Sequence, residues 1–312
     1  MKNQVKVAIV QENPVQANLD ACLAQTLQFI EKAAGQGANL IVFGETWLTG
    51  YPVWLDYCPE MGFWNHKPTK KVFTRMHQNG VQVPGATTEA LGLAARKHGV
   101  VVVIGVNEVV RQGPGQGTMY NSLLIFDETG ALVNHHRKLM PTYTEKLVHG
   151  LGDGHGLKTV DTAFGRLGGL ICWEHWMPLT RQTLHNSGET IHIALWPKVH
   201  ELHQVASRHY AFEGRCFVVA VGQIMRAKDL PSELALPAHL QEAPEQLLLD
   251  GGSCVIGPDG HYLLEPQFDR QGLIFVEIEQ LDRVIGERMT LDTTGHYQRK
   301  DVFQLQVDQT RR

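Results

Sequence analysis

The sequence predicts one α/β domain with many strands and at least one sheet covered on both faces. Three observations carry this expectation. Strand-like and helix-like runs alternate almost from end to end of the 312 residues. Several strand-length runs, such as VVVVIGV at 100–106, are apolar at every position, which fits a strand buried on both sides. No linker or low-complexity segment divides the chain, and a 43% hydrophobic composition suffices for one sizeable core.

In order, VKVAIVQ (5–11) reads as the first strand. A helix follows, with Leu19, Leu23, Leu27 and Ile30 at helical spacing, and Gly35 and Gly37 stop it. NLIVFGE is a short apolar strand. Helical TTEALGLAARKHG leads to VVVVIGV. MYNSLLIFDETGALVNHHRK reads as a hairpin turning at Asp127–Gly130. A Gly-rich loop (150–156) precedes GRLGGLIC, a helix near 178–187, the strand TIHIALWP, a helix near 203–214 and the strand CFVVAVGQ. Residues 228–250 are expected to be an irregular insertion loop. GGSCVIGPDGHYLLEP is a second hairpin, turning at Pro258-Asp259-Gly260. GLIFVEIE is the last strand, ahead of a short helix and a polar tail.

Composition narrows the partners. A net charge of −4 with no basic patch argues against nucleic acid, and no apolar run reaches membrane-spanning length. MKNQVKVAIVQ lacks the zones of a signal peptide. Five widely spaced cysteines without a CxxC pair argue against a disulfide framework or structural zinc, and the expected location is the reducing cytoplasm.

Chemistry is sought where polar residues follow strands, because those positions face the crevice of an α/β fold. Glu45 follows NLIVFG, Lys138 follows the second strand of the first hairpin, and Cys172 follows GRLGGLI. A carboxylate could take a thiol proton, and an ammonium could stabilise the thiolate and the negative charge developing on an attacked substrate. Taken singly, Glu45 and Lys138 also fit surface charges, and Cys172 fits a small buried hydrophobe.

The stretches GETWLTGYP, HRKLMPTYTEK and GGLICWEHWMP resemble, in order and separation, the three signature regions of the nitrilase branch of the carbon-nitrogen hydrolase superfamily. Similarity extends through VAIVQENPV, LWPKVHELHQVASRHYAFEGRCFVVAVGQ and DTTGHYQRKDVFQLQVD. The resemblance implies a nitrilase-like four-layer αββα sandwich with two mixed β-sheets, formed by residues 1–312 as a single carbon-nitrogen hydrolase domain. It implies Glu45 as general base, Lys138 as cationic stabiliser, Cys172 as nucleophile, and Glu145 as a second glutamate positioning the lysine or the hydrolytic water. The implied activity is hydrolysis of a small-molecule nitrile by water to the carboxylic acid and ammonia, with no metal and no cofactor. A homodimer or larger homo-oligomer is expected, with the tail at about 287–312 at a subunit interface. At Arg299-Lys300-Asp301 the chain departs from the branch's frequent Arg-Pro-Asp, and His175 stands where asparagine is often found.

Trp47, Tyr51 and Trp54 cluster after Glu45, with Tyr57, Phe63 and Trp64 beyond; Trp173, His175, Trp196 and His200 are further candidates. Trp47, Tyr51, Trp54, Trp173, His175 and Trp196 are taken as the substrate-binding set, against the plainer reading of core or interface aromatics. Among the 16 histidines, His200-Glu201-Leu202-His203 invites a metal reading. Its i, i+3 spacing does not match the i, i+4 pair of a metalloprotease helix. Within the superfamily the rival activities are cyanide dihydratase or hydratase and amidase; outside it, a non-catalytic scaffold.

Overall fold

The computed structural model describes residues 3–312. The strands are β1 (Gln4–Gln11), β2 (Leu40–Phe43), β3 (Val101–Val109), β4 (Met119–Phe126), β5 (Leu132–Arg137), β6 (Val160–Thr162) and β7 (Gly165–Ile171). Then come β8 (Ile191–Leu195), β9 (Phe217–Val221), β10 (Ile224–Arg226), β11 (Leu247–Ile256), β12 (Tyr262–Phe268) and β13 (Gly272–Glu279). One sheet runs β13-β1-β2-β3-β4-β5; the other runs β10-β11-β9-β8-β7-β6, with β12 beside β11. Both are mixed. In the first, β1, β2 and β3 are parallel while β13, β4 and β5 add antiparallel pairings. In the second, β7, β8 and β9 form the parallel centre. The last strand closes on the first, Gln4 facing Glu279.

Period-two alternation explains the layers. Val7, Ile9, Leu40, Val42, Val103 and Leu123 share a core with the second sheet. Their neighbours Ala8, Val10, Ile41, Phe43, Val102 and Leu124 join a separate core with Ile30, Leu91 and Ala95 of helices Leu19–Gly35 and Ala86–His98. Helices Pro178–Asn186 and Glu201–Gly214 cover the second sheet through Leu184, Ala206, Tyr210 and Ala211. The result is the expected αββα sandwich.

The structure differs from the sequence reading at three places. In the first helix the most buried stripe is Cys22, Thr26, Ile30 and Ala33, and the predicted leucines flank it half-buried. Small residues let the helix close on the sheet. Helix Lys67–Gln78 has no counterpart in the sequence reading, because Val72, Phe73 and Met76 give only a narrow apolar face. Finally, 228–250 is not all loop: it contains helix Ala238–Glu242, and β11 begins at Leu247.

Candidate active site

Three strand ends from two sheets converge. Glu45 lies two residues beyond β2, Lys138 directly follows β5, and Cys172 directly follows β7. All three are buried, Glu45 and Lys138 almost completely. The loop carrying Glu45 lies against β3 at Gly105, where a Cβ would stand 2.4 Å from both Gly44 O and Thr46 N. Only a residue without a side chain fits that approach. Cys172 opens a 3-10 turn with φ of 53°, a left-handed conformation that non-glycine residues seldom hold.

Lys138 is the hub. Its Nζ donates to Glu45 Oε1 at 3.0 Å and to Glu145 at 3.0 and 2.7 Å. One carboxylate oxygen of each glutamate and the Cys172 sulfur lie within 4.8 Å of one another. Such a cluster of anionic donors resembles a metal site, but the ammonium already sits between the carboxylates as their cation. Asn121, on β4, holds both partners: its Nδ2 donates to Glu45 Oε1 at 2.7 Å, and its carbonyl accepts the Lys138 N–H at 2.8 Å. Gln223 Nε2 donates to the Glu45 carbonyl at 2.5 Å. Glu45 Oε2 is left without a hydrogen-bond partner among the described residues.

Glu145 sits on the 3-10 turn Tyr143–Leu147 and receives the Thr142 N–H at 2.9 Å and the Tyr51 hydroxyl at 2.8 Å. These bonds fix the carboxylate that fixes the lysine.

Electrostatics set the resting protonation. Burial pushes the Glu45 carboxyl from 4.5 up to about 7, Lys138 pulling it back and Glu145 adding to the rise. Burial alone would discharge Lys138, but Cys172 once ionised, and the carboxylates of Glu45 and Glu145, hold it well above the usual lysine value; while Cys172 is a thiol the carboxylates keep the ammonium. Glu145 is held low: burial opposes this, and Lys138 and His149 prevail. Burial and then Glu45 push the Cys172 thiol well up, only partly offset by Lys138. The sulfur therefore rests as a thiol beside a carboxylate able to accept its proton.

A cavity of about 360 Å³ opens over the sulfur. Tyr51, Tyr57, Trp173, His200, Leu248 and Leu249 are among its walls, with Lys198 and Asp56 adding charge. The expected substrate set divides. Tyr51 and Trp173 line this cavity, whereas Trp54 lines two neighbouring ones. Trp47 is a correction: its indole is fully buried against Phe29 and Phe43 in the helix-side core and donates to Thr26 Oγ1 at 2.8 Å. His175 and Trp196 are also buried away from the cavity lining. His175 Nδ1 donates to the Cys172 carbonyl at 2.7 Å, its other nitrogen is 3.0 Å from His192 Nε2, and its ring stacks on Trp196. Trp196 in turn stacks on His203. His200 caps helix Glu201–Gly214, and His203 Nδ1 donates to the Lys198 carbonyl at 2.6 Å, so both histidines of the HELH stretch serve local structure while also lining the cavity.

Sequence reasoning missed Asn121, Gln223 and the Leu248–Leu249 wall. Asn121 left a usable signal, as a polar residue inside the apolar run MYNSLLIF; the others depend on strand pairing.

The family model described as carbon-nitrogen hydrolase matches residues 6–284. An aliphatic nitrilase of Sinorhizobium fredii is 34% identical over 97% of this chain and 96% of its own length. A nitrilase of Bradyrhizobium diazoefficiens is 37% identical over 98% and 92%, and nitrilase 2 of Arabidopsis thaliana 34% identical over 98% and 89%. Among solved structures, a carbon-nitrogen hydrolase from Helicobacter pylori G27 superposes with a TM-score of 0.71, at 18% identity, covering 96% of this chain and 97% of that one. An amidase from Nesterenkonia sp. AN1 in complex with acrylamide gives 0.64 at 17%, covering 93% and 96%. At such identities the likeness is one of fold.

Proposed function

The chain belongs to the carbon-nitrogen hydrolase family, and from that membership we propose that it is a nitrilase, hydrolysing an organic nitrile to the carboxylic acid and ammonia. The observation that carries the reading is the Glu45–Lys138–Cys172 convergence, a base, a cation and a thiol in one buried cluster that meets a cavity through Cys172. Relatives named nitrilase at 34–37% identity over nearly the whole chain support the choice of electrophile.

In this proposal Glu45 takes the Cys172 proton as sulfur attacks the nitrile carbon, then delivers it to nitrogen, giving a thioimidate. Water, deprotonated by Glu45, adds to that carbon. The resulting tetrahedral species expels ammonia to leave a thioester, and a second water releases the acid and restores the thiol. Lys138 stabilises negative charge in each addition, and Glu145 keeps the ammonium aimed. Expulsion of sulfur in place of ammonia would release an amide.

A panel of aliphatic, aryl and arylacetonitriles, cyanide and the matching amides, read by ammonia release, tests the reading. Turnover of nitriles that disappears in Cys172→Ala is expected; turnover of amides alone would make the protein an amidase.

We further propose a single catalytic domain over 1–312 that self-associates through its tail. Tyr297, Val302 and Phe303 are well exposed there, and Met289 is exposed just before them. Light scattering that returned a monomer mass would remove the assembly. Five unpaired, buried cysteines support a cytoplasmic location. Among the described residues no helix is long and apolar enough to cross a membrane.

A further inference from the structure

Glu45 and Lys138 come from one sheet and Cys172 from the other, so the chemistry depends on how the sheets are held at this edge. One side chain lies across that junction. Glu174, buried in the turn after Cys172, accepts the Leu139 N–H on Oε1 at 2.8 Å and the Ile171 N–H on Oε2 at 2.8 Å. Leu139 immediately follows Lys138, and Ile171 immediately precedes Cys172. His136, also fully buried, sits on β5 two residues before Lys138; its Nε2–H reaches both oxygens, at 3.0 and 2.9 Å. A single carboxylate thus gathers three donors from the two segments that carry the cation and the nucleophile.

The geometry points to Glu174 as a positioning residue that clamps Lys138 to Cys172 across the two sheets. Its carboxylate form suits the task, since each oxygen can accept a backbone N–H while both face the imidazole. Burial would raise this carboxyl, but His136 and the Leu139 and Ile171 amides hold it below the usual range. An amide cannot replace it: one oxygen would still accept, while the NH2 group would oppose the other backbone N–H. Glu174 does not line the cavity, so its loss should disturb chemistry and leave substrate binding alone.

The inference takes its kinetic readout from the nitrilase reading, and the test therefore has two arms on the full-length protein. In Glu174→Gln, checked for folding by circular dichroism, kcat on the preferred nitrile should fall about 10- to 100-fold with KM changed less than about threefold, as expected for a misaligned nucleophile. In parallel, the pH dependence of Cys172 alkylation by iodoacetamide should move to higher pH as the thiolate loses its fixed ammonium. Glu174→Asp keeps the charge but is one methylene too short to span both segments, and it is read by the same criteria should the glutamine variant not fold. A folded variant with kcat within about twofold of wild type, a loss confined to KM, or an unmoved alkylation profile would overturn the clamp. If the wild type turns over no nitrile, the nitrilase reading fails, and the alkylation arm alone decides the role of Glu174.

Discussion

At the scale of single residues, the site is a problem in proton bookkeeping. Cys172 rests protonated, so attack requires an ionised Glu45. Because burial raises Glu45 from 4.5 to about 7, the base form is present above that pH and is lost as pH falls through it. The account therefore predicts an acid limb in kcat/KM near pH 7, measured in the free-enzyme range of substrate concentration. A limb near 4.5 would mean that Glu45 behaves as an ordinary exposed carboxyl and does not serve as the buried base. The other four cysteines are also buried; burial lifts Cys58 to about 11 and Cys22 and Cys254 to about 12, and none lines this cavity. Residue types at strand ends made Glu45, Lys138 and Cys172 candidates in the sequence, while their roles came from the family resemblance. Trp47 was misread because nearness along the chain to Glu45 does not fix direction: the indole turns to the helix layer while Glu45 turns to Lys138 and Cys172.

Among the elements, the loop after β2 depends on how closely it approaches β3. Gly105 N–H donates to the Gly44 carbonyl at 3.2 Å, and the Leu48 N–H donates to the Gly105 carbonyl at 3.2 Å, bracketing Glu45. Gly105→Ala would place a methyl against backbone atoms that have no side-chain freedom to yield. The expected outcome is a folded protein with kcat reduced on the order of 100-fold, from displacement of the base by about an ångström. Kinetics and a thermal melt check it together; unchanged kcat would show that the loop relaxes freely. The longer strands and the helices Leu19–Gly35, Ala86–His98 and Glu201–Gly214 were readable from apolar period, and both hairpins from turns that carry an Asp and a Gly, whereas helix Lys67–Gln78 and the three-residue strands β6 and β10 were not. The start of β11 was not, because LLLD lies behind a Pro-containing stretch and acquires its strand character only by pairing with β10.

Over the whole molecule, the two sheets divide the work. The first contributes base and cation, the second contributes the nucleophile, and the cavity forms where their ends meet. Covered sheets were legible from uninterrupted apolar strands, whereas the αββα order came from resemblance, since periodicity carries no strand order. That architecture makes one covalent step the centre of the account. Mass spectrometry of the enzyme, acid-quenched during turnover of its preferred nitrile and digested, tests it most directly. The account predicts a substrate-derived adduct on the peptide containing Cys172. An adduct carried by Cys22, Cys58, Cys216 or Cys254, with Cys172 unmodified, would contradict it.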